Sequence, residues 1–493
     1  MTKTSIFLIF CLTTTSFAQF NPHYAPNRSV IVHLFEWRWN DIARECEQVL
    51  GPAGYGGVQL SPVNENAVVY GRPWYERYQP LSYKFNTRSG NEAELRNMIK
   101  RCNKVGVRVF VDVVFNHMAA GSGVVRGTSG SRAEPGNRAY PIYSRYDFNR
   151  LCGINNYQNA TEVRVCELSG LPDLDQSKSY VRKQIVDFLN KLVDMGVAGF
   201  RVDAAKHMFP EDLQAIYGSV KNLKTKAGFP KNARPFIAQE VIDVGGEAVS
   251  KFEYINLGTV TEFVYCSEIG LVFQGQHPVN QLENLGPART FLPSEKAFVF
   301  VDNHDNQRGH GGGGIVLTHK KPKEYTSAVV YTLANNYGIP RIMSSYYFDN
   351  PSMGPPHDSN DNIRGPGTNR RDGSCTGGWV CEHRWNGIRN MVKFRNAVGN
   401  APVTNWTTYG NNALSFCRGN VGCVAFNTGK NDFSQEIRTN LAPGTYCDII
   451  SGEKAYNRCT GIAIQVNQNG QARITINGNA TYGVVAFYKG SKL

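Results

Sequence analysis

Short apolar runs recur through most of the chain, and helix-like stretches lie between most of them. Eight of these runs have the length and the polar boundaries of buried strands. They cover residues 30–35, 57–60, 107–114, 197–203, 235–240, 259–263, 297–302 and 339–344. Parallel strands need helical crossovers, so this alternation predicts a (β/α)8 TIM barrel. The competing architecture is an open doubly wound sheet, but the glycine-rich phosphate turn that usually follows its first strand is missing here.

The clearest helical pattern, over residues 180–194, precedes the fourth strand. Its apolar positions share one helical face and are Val181, Ile185, Phe188, Leu189, Leu192 and Val193. Because Gly196 stands where a C-terminal cap would be and a strand follows at once, Asp203 is expected at the carboxyl mouth of that strand. Further helical patterns cover residues 39–50, 92–104, 211–226, 323–335 and 384–397.

Two segments depart from this alternation. Residues 116–174 are too long for an ordinary βα loop and rich in Gly, Ser, Arg and Asn, which predicts an inserted irregular subdomain after the third strand. From residue 402 short alternating segments are separated by Gly and Asn turns, which predicts a C-terminal antiparallel β-sandwich over 402–493. The catalytic barrel would then comprise residues 19–115 and 175–401.

Residues 1–18 have the layout of a secretory signal peptide. Lys3 precedes an apolar run over residues 6–12, and Ser16 and Ala18 supply a small-residue cleavage site. A membrane anchor needs ~20 apolar residues, which neither this run nor a later segment provides. We therefore expect a soluble, secreted, extracellular protein with no membrane partner.

The net charge does not indicate a polyanionic partner. Lys and Arg number 53 against 40 Asp and Glu, a formal charge of +13 over 493 residues. The basic residues are scattered and never form a run of five or more. We read the charge as a solubility property and expect no nucleic-acid binding.

Secretion makes the twelve cysteines candidates for disulfides. Local spacing suggests Cys375–Cys381, Cys417–Cys423 and Cys447–Cys459. With Cys11 removed in the signal peptide, the cysteines left over are Cys46, Cys102, Cys152, Cys166 and Cys266. The chain has no CxxC pair, so zinc is not expected.

Polar residues gather at the predicted carboxyl ends of four strands, where a barrel carries its reacting groups. They are Asp112, Asn116 and His117 after the third strand, Arg201, Asp203 and His207 at the fourth, Glu240 at the fifth, and Asn303, His304 and Asp305 at the seventh. Arg201 and Asp203 alone could be a structural ion pair. Three carboxylates on one rim, those of Asp203, Glu240 and Asp305, are harder to explain structurally, because like charges that close disfavour ionisation. Glycoside cleavage needs such crowding, with one carboxylate as nucleophile and another kept protonated as acid.

Four segments in this order resemble the motifs of the alpha-amylase family of glycoside hydrolases. They are residues 112–117 (DVVFNH), 199–203 (GFRVD), 239–243 (QEVID) and 300–305 (FVDNHD). The neighbouring residues 32–37, 72–74, 299–310 and 380–385 narrow the resemblance to the animal-type, calcium- and chloride-dependent members. It runs from about residue 24 to the end of the chain.

The resemblance implies a retaining, endo-acting hydrolase of internal α-1,4-glucosidic bonds in starch and glycogen. It implies Asp203 as nucleophile, Glu240 as acid/base, and Asp305 as the third carboxylate, which orients substrate and helps to hold the proton on Glu240. Substrate contacts are expected from Trp74, Tyr75, Tyr78, His117, Arg201, Lys206, His304 and His310. The aromatic residues would equally suit loop packing, and the glycine run 309–314 resembles either the family's mobile loop or a flexible linker.

The resemblance also implies two bound ions. Calcium is assigned to Asn116, Arg164, Asp173 and His207, with Arg164 and His207 contributing backbone carbonyls. Oxygen ligands suit this hard cation, although Asp173 alone could be a loop cap. Chloride is assigned to Arg201, Asn303 and Arg341. Without the resemblance, Arg341 would pass for an ordinary strand residue.

The family pattern supports the pairs Cys46–Cys102 and Cys152–Cys166 and leaves Cys266 unpaired. Cys266 lies in a strand-like run before Ser267, and its thiol is predicted to be buried and inert. The pattern differs from that of vertebrate members, because a cysteine is replaced by Asn86 and the pair Cys417–Cys423 is additional.

Two other functions are compatible with the same residues. One is a transglycosylase that uses the same covalent intermediate. The other is a non-catalytic carbohydrate-binding homologue, which would usually lack one of the three carboxylates. We expect a monomer whose partners are starch, glycogen and maltooligosaccharides, with proteinaceous amylase inhibitors as further candidates.

Overall fold

The computed structural model describes residues 19–312 and 314–493, so the predicted signal peptide lies outside the described residues. Eight parallel strands form a closed barrel. They are β1 (Ser29–Leu34), β2 (Tyr55–Leu60), β3 (Arg108–Val113), β4 (Gly199–Val202), β5 (Phe236–Gln239), β6 (Thr259–Thr261), β7 (Ala297–Val299) and β8 (Ile339–Ser344). Strand β8 closes onto β1, with Arg341 opposite Ile31. The barrel prediction and its eight strands are confirmed.

Eight labelled helices accompany the strands: α1 (Trp39–Glu45), α2 (Glu92–Lys104), α3 (Ala160–Val165), α4 (Ser179–Met195), α5 (Pro210–Ser219), α6 (Phe263–Phe273), α7 (Pro322–Ala334) and α8 (Asn386–Val398). Helix α1 continues into a π-helical turn, Cys46–Leu50, and ends at Ala53. In α4 the predicted apolar face is buried, and Gly196 ends the helix in the left-handed conformation at φ 103°. Glycine adopts this conformation at little steric cost, and β4 begins three residues later at Gly199.

Two helical predictions need correction. The helix predicted over 211–226 ends at Ser219, because the guanidinium of Arg234 contacts the carbonyls of Tyr217 and Val220 at its end. Helix α6 was not predicted, and Cys266 lies in it rather than in a strand. Most residues of α6 are buried, so its sequence lacks the one-sided apolar pattern of a surface helix.

The predicted insertion between β3 and α4 is irregular, with short turns and helix α3. Its two ends meet beside the barrel. The backbone N–H of Leu174 donates to the carbonyl of Asn116 at 2.9 Å, and His117 pairs with Asp173 in an isolated bridge. This closure holds Asn116 and Asp173 next to each other.

The C-terminal domain contains two antiparallel four-stranded sheets, as predicted. One has the order β9 (Val403–Tyr409), β10 (Ala413–Arg418), β11 (Gly422–Asn427), β16 (Val484–Tyr488), and the other β12 (Phe433–Arg438), β15 (Gln471–Ile476), β14 (Ala463–Val466), β13 (Gly444–Cys447). The first sheet also packs on the barrel helices, since Phe416 and Phe426 contact Tyr331, and Phe426 contacts Phe273. The two domains therefore share an apolar core.

All five predicted disulfides are present: Cys46–Cys102, Cys152–Cys166, Cys375–Cys381, Cys417–Cys423 and Cys447–Cys459. Cys266 is a buried free thiol, and burial raises its pKa to about 12. A thiol with so high a pKa is a poor nucleophile at neutral pH, which agrees with the prediction of an inert residue. Within the ranges 19–312 and 314–493, the structure contains no helix long and apolar enough to cross a bilayer.

Candidate active site

The guanidinium of Arg201 is the centre of the polar cluster at the carboxyl mouth of the barrel. Its Nη1 contacts Asp112 Oδ1 at 2.8 Å and Asp203 Oδ1 at 2.5 Å, and its Nη2 contacts Glu240. The backbone N–H of Ala204 donates to the second oxygen of Glu240 at 2.9 Å. Three carboxylates from three neighbouring strands thus share one buried cation.

Strand register brings these side chains together. Asp112 of β3 lies opposite Arg201 of β4, and Val202 lies opposite Gln239 of β5. Just beyond the strands, the N–H of Asp203 donates to Val113 and that of Glu240 to Val202. The backbone ladder therefore continues far enough to fix both carboxylate-bearing residues.

The cluster carries more negative than positive charge. Burial raises the pKa of Asp203 and of Asp112, while the positive charge of Arg201 opposes the rise. Burial and the negative charge of Glu240 raise the pKa of Asp305 to about 7. Like charges this close disfavour full ionisation of the cluster, which agrees with the raised pKa values.

Aromatic rings form one wall beside the carboxylates. The ring of His304 stacks on that of Tyr78 at 4.9 Å between centroids, and Trp74 meets His304 edge-on at 5.5 Å. Tyr75 follows Trp74 at 5.8 Å and is 37% exposed, while the exposed His310 lies 6.1 Å from Trp74. Trp74, Tyr78 and His304 are buried, so Tyr75 and His310 are the accessible rings of this wall that suit pyranose faces.

Two predicted substrate-binding side chains are held by protein groups. The Nε2 of His117 lies 2.9 Å from the carbonyl of Tyr78 and its Nδ1 3.2 Å from the amide of Asn116, and burial lowers the pKa of His117 to about 4. The ammonium of Lys206 donates to the carbonyl of Ile242 at 2.7 Å and pairs with Glu247. Both side chains brace the site in this arrangement.

Comparisons with known proteins agree with this geometry. A model described as "Alpha amylase, catalytic domain" matches residues 50–239, and "Alpha amylase, C-terminal all-beta domain" matches residues 404–489. An alpha-amylase of Tribolium castaneum is 52% identical over 99% of both chains. An "alpha-amylase-related protein" of Drosophila yakuba is 51% identical over the full length of both.

The chain belongs to the alpha-amylase family. Its relatives place it with the animal-type alpha-amylases, which are glycoside hydrolases. A crystal structure of an alpha-amylase I variant from Eisenia fetida with maltohexaose superposes with a TM-score of 0.91 at 40% identity, covering 96% of this chain and 99% of that one. A cyclomaltodextrin glucanotransferase at 19% identity and a TM-score of 0.67 shares the fold.

The predicted calcium ligands have free oxygen atoms. Asn116 Oδ1 and Asp173 Oδ1 are both buried and have no hydrogen-bond partner among the described residues. Val163, next to Arg164, accepts from Nδ1 of His207 at 2.9 Å, which joins the insertion to the barrel. An amide oxygen and a carboxylate oxygen without partners in the described chain fit a hard cation. In the described ranges no group of three or more His, Cys, Asp or Glu residues could hold a metal, so the fit depends on carbonyl ligands.

The predicted chloride ligands have free N–H groups. Arg201 Nε and Arg341 Nε and Nη2 are buried without a partner in the described part of the chain. Burial and the positive charge of Arg201 lower the pKa of Arg341 to about 10. Asn303 accepts from the N–H groups of Asp305 and Asn306 at 3.0 and 2.7 Å. Two buried cations with unused donors fit a small anion.

Sequence reasoning missed Arg308 as part of this region. Its guanidinium is buried and lies over the rings of Phe348 at 3.9 Å and Tyr346 at 4.6 Å. Arg308 stands three residues after Asp305, but its aromatic partners lie in a loop-like stretch about 40 residues further along the chain. A cation–π contact of that range leaves no signal in sequence.

We predict that Arg201→Met destabilises the fold by about 3–5 kcal/mol at pH 8, because it leaves buried carboxylates unpaired. The pKa values of Asp203 and Asp112 are raised in the folded state, so these carboxyls bind protons as the pH falls. Protonation removes the cost of burying unpaired negative charge. The loss should therefore be clearly smaller at pH 5. Urea unfolding at both pH values measures it, with the exposed Arg473→Met as control. An equal loss at both pH values would contradict the assignment.

Proposed function

We propose that the protein is a secreted alpha-amylase that hydrolyses internal α-1,4-glucosidic bonds of starch and glycogen with retention of configuration. The observation that carries the proposal is the pairing of Asp203 and Glu240 with one guanidinium, with Asp305 in the same cluster. Two carboxylates that share a cation fit the short separation, about 5–5.5 Å, of retaining enzymes. Five disulfides support an extracellular location.

In the first step the carboxylate of Asp203 attacks the anomeric carbon while Glu240 donates a proton to the leaving oxygen. The glycosidic C–O bond breaks, the protonated leaving sugar chain departs, and a covalent glycosyl-enzyme remains on Asp203. In the second step Glu240 takes a proton from water, which displaces Asp203 with a second inversion. Arg201 and the N–H of Ala204 hold both carboxylates in place through these steps.

Asp305 has a different role from the other two carboxylates. Its pKa of about 7 allows it to carry a proton at neutral pH and so to donate to a substrate hydroxyl. Its Oδ2 lies 3.3 Å from Nε2 of His304, which positions it against the aromatic wall. Maltohexaose is bound by the related Eisenia fetida variant, which supports maltooligosaccharides as ligands here.

Asn116, Arg164, Asp173 and His207 would hold calcium, which supplies charge neutralisation at the junction of the insertion and the barrel. Arg201, Asn303 and Arg341 would hold chloride, which offsets the positive charge beside Glu240. Two arginines near an acid favour its ionised form, so their partial neutralisation lets the acid keep its proton to higher pH.

We predict that Asp203→Asn and Glu240→Gln each lower kcat by about 10⁴-fold or more, because each removes a group that acts directly in bond cleavage. The matched control is Asp187→Asn, an exposed carboxylate on helix α4, which should retain full activity. Proton NMR of the first products should show the α-anomer. Activity in a folded Asp203→Asn protein, or β-anomer as first product, would refute the mechanism.

We predict that removal of calcium lowers the melting temperature and speeds proteolysis within residues 116–174. A ligand bound only by the native state stabilises it, by about 2.7 kcal/mol at 100 times its Kd. Asp173→Asn should abolish the effect of a chelator on the melting temperature. The control is Asp175→Asn, because the carboxylate of Asp175 accepts from the N–H of Ser177 instead, and this variant should respond to the chelator as wild type does. A wild-type melting temperature unchanged after complete calcium removal would count against the site.

We predict that removal of chloride lowers kcat/KM most on the neutral-to-alkaline side and moves the optimum toward acid. Arg341→Gln removes one of the charges that the anion offsets, so this variant should be active and much less dependent on chloride. The measurement is kcat/KM against pH, with chloride or gluconate at equal ionic strength. Superimposable wild-type profiles in the two anions would exclude the chloride assignment.

A further inference from the structure

The chain after Asp305 runs along the edge of the carboxylate cluster and then over helix α6. We call residues 309–312 and 314–317 the rim segment; Gly313 lies outside the described residues. Its glycines pack closely on other parts of the protein. A Cβ at Gly311 would lie 2.9 Å from the Cβ of Asp305, and one at Gly314 would lie 2.8 Å from Oγ of Ser267 in α6. The backbone of the rim segment thus connects the candidate catalytic carboxylate to helix α6.

Gly270 is the place where helix α6 receives this backbone. A Cβ at Gly270 would overlap the carbonyl oxygen of Ile315 and lie 3.6 Å from the N–H nitrogen of Leu317. Glycine is a poor residue for a helix interior, so its presence there has a packing reason. Val316 packs against the small cluster formed by Phe263 and Cys266 of the same helix together with Phe300. The contact with helix α6 therefore determines how closely the rim segment can approach the barrel.

The ring of Phe348 makes a cation–π contact near each end of the rim segment. The guanidinium of Arg308, just before the segment, lies 3.9 Å from the centre of the Phe348 ring. The ammonium of Lys320, just after it, lies 4.3 Å from the same ring. One aromatic side chain between two cations holds the two ends close together.

Glu382 lies near both ends of the rim segment but makes no direct hydrogen bond to either in the described chain. Its Oε1 lies 3.7 Å from Nδ1 of His319, and its Oε2 accepts from the N–H of Ser345 at 2.7 Å. The hydroxyl of Ser345 donates to Gln307 at 2.8 Å. The polar contacts therefore add a hydrogen bond only at the Gln307 end, and α6 contacts the middle of the rim segment.

We propose that Gly270 is a positioning residue of the active site. Its missing side chain lets the rim segment lie against α6 at the level that places Gly311 against Asp305 and His310 beside Trp74. This inference rests on the proposed function, because it is there that Asp305 and His310 meet the substrate. Neither Gly270 nor Phe348 belongs to the substrate-binding or ion-binding residues described above.

The test compares the same substitution at two helical glycines. Gly270→Ala should displace the rim segment, whereas Gly218→Ala, at a helix α5 position with nothing within 4 Å of its Cβ, should be harmless. Amide hydrogen exchange of the free protein should rise about tenfold in peptides of the rim segment for Gly270→Ala, a loss of about 1.4 kcal/mol of local stability. Exchange in the barrel strands should stay unchanged, and Gly218→Ala should behave as wild type or melt slightly higher.

Kinetics separate positioning from a general loss of stability. For a soluble maltooligosaccharide, KM should rise about tenfold in Gly270→Ala, with kcat changed much less. The reason is that the substrate loses contacts with the rim segment, while Asp203 and Glu240 keep their positions. A variant that was only less stable would keep the wild-type KM in its folded fraction. Wild-type exchange and KM in a folded Gly270→Ala protein would overturn the proposal.

A second variant covers the case in which Gly270→Ala does not fold. Phe348→Leu releases both cations at the ends without altering α6. The matched control is Phe188→Leu, at a buried position of helix α4 where the ring stacks on Tyr83. Exchange in the rim segment should rise in Phe348→Leu alone, and equal exchange in the two variants would contradict the proposal. The exchange experiment needs no substrate. If the wild-type protein had no activity, the proposed function would be refuted. Hydrogen exchange would still test whether α6 positions the rim segment.

Discussion

One guanidinium determines whether the active site can exist in the folded protein. The side chain of Arg201 is 2% exposed and contacts Asp112, Asp203 and Glu240. Burying those carboxylates without a cation would cost several kcal/mol each. The pairing in turn depends on the register of β3, β4 and β5, so the strand contacts that build the barrel also bring the site together.

The sequence was sufficient for the barrel because its strands are short apolar runs with polar ends, and those ends carry the reacting groups. The sequence did not predict a helix that is buried on several sides, or a helix end that depends on a residue far along the chain. Helix α6 lacks an exposed face, so its apolar pattern has no period. Helix α5 stops at Ser219 because of Arg234, which lies 15 residues further along the chain.

Side-chain partners were the least predictable part of the site. The family resemblance suggested that His117 and Lys206 face the substrate, and only the fold brings Tyr78, Asn116 and Glu247 onto their polar atoms. The unused N–H groups of Arg341 are likewise a property of the packed barrel, since they depend on what surrounds a strand residue from every side. Such contacts join residues far apart in sequence and have no local signature.

The order of the disulfides has a consequence for biosynthesis. In the described residues every disulfide joins two cysteines that follow one another among the paired ones, with separations from 6 to 56 residues. In the secreted protein proposed above, the second cysteine of each pair would enter the oxidising compartment with its partner as the nearest preceding member of the paired set. Cys266 follows the first two pairs and precedes the last three, and it is buried in α6. Correct oxidation can therefore keep pace with synthesis, without a later exchange of wrongly paired bonds.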